Sequence, residues 1–142
     1  THTYEIKAEK DKFLTIIIDQ QGADVAVKFA SLEIDNPNIK RGAEQIFLIA
    51  PTTGNLRLEI KGKETGRYEV NLETYRNQTP NDQKRVAAAR VFIEAETLSA
   101  ANNYAQALAK YEESFQLING LNDNFQEAAI LYSLGKTNKT LG

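Results

Sequence analysis

An antiparallel β unit of sandwich or barrel type, followed by an all-α unit, is the fold class this sequence predicts, on three observations. From Thr3 to Tyr75 apolar residues recur at every second position, the spacing of strands with one buried face. Beyond Gln78 they recur at intervals of three and four, the spacing of a helix with one buried stripe. Between the two, Arg76, Asn77, Gln78 and Thr79 are polar and break both rhythms, so the boundary separates residues 1–77 from 78–142.

Tyr4, Ile6 and Ala8 open the alternating series. Phe13 to Ile18 is apolar on both faces apart from Thr15, which predicts a central strand covered from two sides. Val25, Val27 and Phe29 continue the alternation, then Ile46, Leu48 and Ala50, then Leu56, Leu58 and Ile60, and finally Tyr68, Val70 and Leu72. The Pro51–Gly54 segment reads as a turn and Gly62–Gly66 as a hairpin loop. Residues 32–42, with Asp35, Asn36, Pro37 and Asn38, read as a long loop carrying at most a short edge strand. Six or seven strands with no helical pattern between them exclude a parallel βαβ arrangement.

Thr79 is placed to cap the first helix, Pro80 takes its first position, and Asp82 meets the exposed N–H groups of its positive end. Ala88, Val91, Phe92, Ala95 and Leu98 share one face of that helix. Ala101, Asn102 and Asn103 end it, and a second helix carries Tyr104, Ala107, Leu108, Tyr111, Phe115 and Ile118 up to a cap at Asn119-Gly120. A third starts after Asn122, Asp123 and Asn124, with Phe125, Ala128, Ala129 and Tyr132 as its expected buried face and Leu131 and Leu134 beside them.

An offset of 40 residues pairs Val91 with Leu131 and Ala95 with Gly135, the beginning of an internal repeat. Val91 and Ala95 on the first helix, with Ala107 and Tyr111 on the second, resemble the tetratricopeptide pattern, in which small residues let paired helices approach closely. Ser114 stands where that family usually has alanine, and the spacing exceeds the common period of about 34. About one and a half repeats are present, so the chain is expected to continue beyond Gly142.

The strands carry a second resemblance. His2–Ile6, Phe13–Ile18, Asp24–Val27, Ile46–Pro51, Gly54–Ile60 and Gly66–Leu72 are similar to the bacterial pre-peptidase C-terminal domain, a jelly-roll sandwich. That family usually has one more strand before the first one here. Together with a first residue, Thr1, that is not Met, this predicts further chain upstream. The family's acidic, glycine-containing turn after the third strand is replaced by Phe29-Ala30-Ser31-Leu32-Glu33, so no calcium site is carried over. The two resemblances together are those of bacterial proteins that often carry a caspase-like peptidase domain further on.

A net charge of −2 supplies no positive field for nucleic acid, and no apolar run approaches the ~18 residues of a membrane helix. Neither nucleic-acid binding nor membrane insertion is expected. The chain has no cysteine and one histidine, His2, so thiolate chemistry and a hydrolytic triad lack their parts, and no catalytic residue, metal or cofactor is expected. Asp35, Asn36 and Asn38, and again Asn122, Asp123 and Asn124, offer oxygen ligands but read as turn formers and helix caps. Glu112 and Glu113, like Glu94 and Glu96, alternate helix faces and define no cleft.

The tetratricopeptide resemblance implies that the inner faces of the first helices line a groove for protein or peptide partners. By repeat position Phe92, Glu96, Tyr132, Lys136 and Lys139 stand there, against the plainer reading that the aromatics are core and the charges solvated. Phe92 and Glu96 occupy two positions of the family's carboxylate clamp, so recognition of chaperone tails is not implied. The leading expectation is a non-catalytic interaction or scaffold fragment. The alternatives are the regulatory region of a caspase-like peptidase whose catalytic domain lies beyond residue 142, and a carbohydrate- or calcium-binding sandwich. The sandwich family is commonly exported or periplasmic whereas helical arrays occur in every compartment, so the two resemblances leave the setting open with export slightly favoured. Leu131, Leu134 and Leu141 are expected to be incompletely buried, with self-association through the last helix.

Overall fold

The structure is a computed structural model that describes residues 1–22, 24–29, 34–36, 42–63 and 65–142. It is a mixed β-sheet and helix fold of two small antiparallel sheets and then three helices. The strands are β1 (His2–Ala8), β2 (Lys12–Gln21), β3 (Val25–Phe29), β4 (Ile34–Asn36), β5 (Gly42–Ile49), β6 (Gly54–Gly62) and β7 (Arg67–Asn77). The helices are α1 (Pro80–Ala100), α2 (Tyr104–Ile118) and α3 (Asn124–Leu141). They divide into two compact units, Thr1–Gln78 and Thr79–Gly142.

In the first unit one sheet has the order β1-β6-β3-β4 and the other β5-β2-β7. One apolar cluster is drawn from both: Ala8, Leu14, Ile16, Ile18, Val25, Val27, Phe29, Ile46, Leu48, Ala50, Leu56, Leu58 and Ile60. The alternating residues of five strands thus fill one shared interior, and their burial is the main driving force for the unit. β2 is central and buried on both faces, as its apolar run predicted. Its outer-face Phe13 stacks on Phe47, and the Arg76 guanidinium lies 4.9 Å from the Phe13 ring centre.

The Gly62–Gly66 hairpin is not formed, because β6 pairs with β1 and β3 whereas β7 pairs with β2 in the other sheet. Among the described strands only β3 and β4 are neighbours both in sequence and in a sheet; every other connection crosses between sheets. Alternation reports which face of a strand is buried but is silent about which strand lies beside it. The predicted loop at 32–42 contains the edge strand β4, and residues 37–41 lie outside the described residues.

β7 carries a bulge, with Thr15 opposite Thr74 and Ile16 opposite Leu72, which leaves Glu73 as the extra residue. The bulge brings Tyr75 onto the same face as Tyr68, Val70 and Leu72. Tyrosine hydroxyls then link the edge strands of the two sheets. Tyr75 OH accepts from the Glu9 N–H at 2.9 Å, and Tyr68 OH meets Tyr4 OH at 3.1 Å and His2 Nδ1.

In the second unit α1 begins as its residues dictate. The Thr79 N–H and hydroxyl both donate to Asp82 Oδ2, at 2.7 and 2.9 Å, which fixes the first turn. Ala95, Ala107 and Tyr111 form one buried cluster between α1 and α2. Ala88, Ile118 and Ile130 form a second that includes α3. The contacts 88–114, 92–111 and 94–110 run in opposite chain order, so α1 and α2 are antiparallel. Contacts 85–126 and 96–133 run in the same order, so α3 lies parallel to α1.

Candidate functional site

Part of the expected buried face of α3, namely Phe125, Ala128 and Tyr132, is turned outward, whereas Ala129 and Leu134 are half-buried, Leu134 against both helical clusters, and Leu131 is incompletely buried as expected. Gln126, Ile130, Ser133 and Thr137 are buried instead, while Phe125, Leu131 and Tyr132 are 53%, 47% and 69% exposed. Hydrogen bonds from Gln126 Nε2 and Ser133 Oγ offset part of the cost of this polar inner face, while the buried Gln126 Oε1 has no hydrogen-bond partner among the described residues. Gln126 Nε2 donates to the Arg85 carbonyl at 3.3 Å, and Ser133 Oγ donates to Glu96 Oε1 at 3.0 Å.

Two polar centres hold α3 in this rotation. At the helix starts, Arg85 Nη1 donates to the fully buried Asp82 at 2.9 Å, Nη2 donates to the Leu121 carbonyl at 3.2 Å, and Nε lies 3.6 Å from Asp123 Oδ2. Asp123 Oδ1 accepts from the Gln126 N–H and so caps α3. One guanidinium therefore ties the positive ends of α1 and α3 together through the carboxylates that serve them.

The second centre is Glu96, whose Oε1 accepts from Tyr111 OH at 2.6 Å and from Ser133 Oγ, joining all three helices. Burial, and then the hydrogen bond to Glu96, push the Tyr111 phenol above its ordinary range. Nearby, Ser114 Oγ donates to the Ala88 carbonyl at 2.7 Å. Its hydroxyl is thereby satisfied at a helix contact where alanine would make no bond.

What remains on the outside of α3 is a stripe of Phe125, Ala128, Leu131, Tyr132 and Gly135, continued by Lys139. A Cβ added at Gly135 would meet nothing within 4 Å, so the stripe has an open trough at that level. Of the residues placed in a groove by repeat position, Phe92 and Glu96 are half-buried between the helices, Phe92 against the Tyr111 ring at 5.7 Å between centres. Tyr132, Lys136 and Lys139 stand together on the exposed side of α3. The five residues do not form one surface.

Arg85, Gln126 and Ser133 were not anticipated. Asp82 and Arg85 at i, i+3 were a legible signal, as was the helical spacing of 126, 130, 133 and 137, but the latter is mostly polar and a search for apolar periodicity passes over it.

In the β unit, His2, Tyr4 and Tyr68 direct their polar atoms at one another rather than forming a flat aromatic platform. Burial and the contact with Tyr4 raise the Tyr68 phenol above its ordinary range. Among the described residues no group of three His, Cys, Asp or Glu side chains is arranged to hold a metal. The Asp123 carboxylate is occupied by Arg85 and the Gln126 N–H, the side chains of Asp35 and Asn36 lie outside the described residues, and so does Asn38. Among the described residues no helix is long and apolar enough to cross a membrane.

No family model, curated protein or solved structure matches the chain.

Proposed function

We propose that this chain is a non-catalytic protein-interaction module, a jelly-roll-like sandwich joined to tetratricopeptide-type helices, whose contact surface is the outer face of α3. The exposed stripe Phe125, Ala128, Leu131, Tyr132 and Gly135 carries this reading, because contiguous apolar surface on a folded helix marks a place where protein binds. The repeat offset supports it. Ala88, Val91, Phe92 and Ala95 on α1 correspond to Ala128, Leu131, Tyr132 and Gly135 on α3, and on α1 that face is occupied by α2. The crossing of nearly every connection between two sheets supports the jelly-roll part of the reading. The chemistry of the residues favours binding over catalysis, with His2 engaged by Tyr68 and no cysteine in the sequence.

The test is selection from a displayed library of peptides, read against two variants of the chain. Binders are expected to show apolar residues at helical spacing, to lose binding to Tyr132→Glu, and to retain it toward Lys61→Glu on β6. A library yielding no binder, or only binders indifferent to Tyr132→Glu, refutes the reading.

A further inference from the structure

We propose that the α3 stripe receives one amphipathic helix of a partner protein, running antiparallel to α3 and carrying a carboxylate that faces Lys136. This rests on the interaction reading and deepens it by stating the chemistry of the partner. The packing of α2 on α1 shows what such a face accepts.

The 40-residue offset places Ala128, Leu131, Tyr132, Gly135 and Lys136 at the positions of Ala88, Val91, Phe92, Ala95 and Glu96. On α1 that face holds α2. Ser114 Oγ donates to the Ala88 carbonyl, the Tyr111 ring packs on Phe92, Ala107 shares a buried cluster with Ala95, and Tyr111 OH donates to Glu96 Oε1. On α3 the equivalent Ala128, Leu131, Tyr132 and Gly135 are exposed, and the space beside Gly135 is open. Small residues two turns apart with a bulky pair between them recur on both helices, so the α3 face fits a helix of the same kind in the same antiparallel sense.

One position differs in chemistry. Glu96 accepts a hydrogen bond, whereas Lys136 carries an ammonium that only donates. A helix seated in the register of α2 therefore needs an acceptor where α2 has Tyr111, and a carboxylate supplies both the acceptor and the opposite charge. The combined reach is preserved, because a long lysine and a glutamate take the place of a glutamate and a long tyrosine. Lys139 stands at the position of Ser99, so the N-terminal half of the partner helix meets two ammonium groups, and acidic residues there also suit the positive end of their own helix. A second copy does not meet this need through α3. A two-fold axis sets like flanks of the two helices together, and the flank of α3 that holds Lys136 carries Phe125, Ala129 and Tyr132 but no carboxylate.

The probe is a synthetic peptide of residues 103–119, the α2 segment, made with Tyr111→Glu or with Tyr111→Lys, so that neither form keeps the ring and only the charge differs. Fluorescence anisotropy of the labelled peptides against the whole chain, across roughly 1 μM to 1 mM, reads both affinities. The glutamate form is expected to bind about fivefold tighter than the lysine form, since an exposed pair is attractive in one and repulsive in the other. Lys136→Glu in the chain reverses that order, and Tyr132→Glu weakens both forms at least about tenfold, with the helical circular dichroism of each variant unchanged. Equal affinity of the two forms, or a preference that survives Lys136→Glu, overturns the carboxylate partner while the interaction reading stands. Binding of neither form at about 1 mM, or binding unaffected by Tyr132→Glu, overturns the seating of an α2-like helix on α3. Sedimentation velocity showing a dimer of the chain that dissociates in Tyr132→Glu overturns the separate partner, because a second copy then covers the stripe.

Discussion

Removing the guanidinium of Arg85 should cost the helical unit much of its stability. The fully buried Asp82 would lose its 2.9 Å partner, Asp123 its 3.6 Å partner, and the Leu121 carbonyl its donor. Breaking a buried ion pair by deleting one member costs about 3–5 kcal/mol, because the surviving charge stays desolvated. Asp82 retains two hydrogen bonds from Thr79 and the positive end of α1, which offset part of this loss. The expected cost of Arg85→Met is therefore about 2–4 kcal/mol. A unit of this size holds only about 3–10 kcal/mol in total. Urea unfolding followed by circular dichroism at 222 nm isolates the effect, since all three helices lie in Thr79–Gly142. Adding Asp123→Asn should recover about 1 kcal/mol by removing a charge left without its partner. A midpoint for Arg85→Met within the change typical of a surface substitution, about 0.5 kcal/mol, would refute the clamp.

Two further outcomes follow from the helix contacts. Because the Tyr111 phenol is raised in the folded state, its contribution is fully present below the ordinary tyrosine value of 10.0 and is lost as pH climbs past it. The Tm of the helical unit should fall with increasing pH above that point, and Tyr111→Phe should flatten the slope, as thermal scans at 222 nm will read. Ala107→Leu forces three methylene-sized groups into the fully buried contact with Ala95 and Tyr111 and should destabilise the same unit by about 1–3 kcal/mol in urea titration, whereas Ala105→Leu on the exposed side of α2 should cost little.

The amino-acid order alone determined most of the interior of the β unit, Tyr4 and Leu72 being exposed against the alternation, as well as where the rhythm changes and how the first two helices begin, end and face each other. These are local properties. A strand buries every second side chain and a helix every third or fourth, whatever lies opposite, and Thr79, Pro80 and Asp82 act within one turn. Only the tertiary structure decided that β6 and β7 belong to different sheets, because partner choice depends on residues distant in sequence. It alone decided the rotation of α3 as well. Apolar content would bury Phe125 and Tyr132, but the carbonyl of Arg85 and the carboxylate of Glu96 accept from Gln126 Nε2 and Ser133 Oγ, and the polar face turns inward. Those two acceptors come from another helix, and from that rotation follows the exposed surface on which the functional proposal rests.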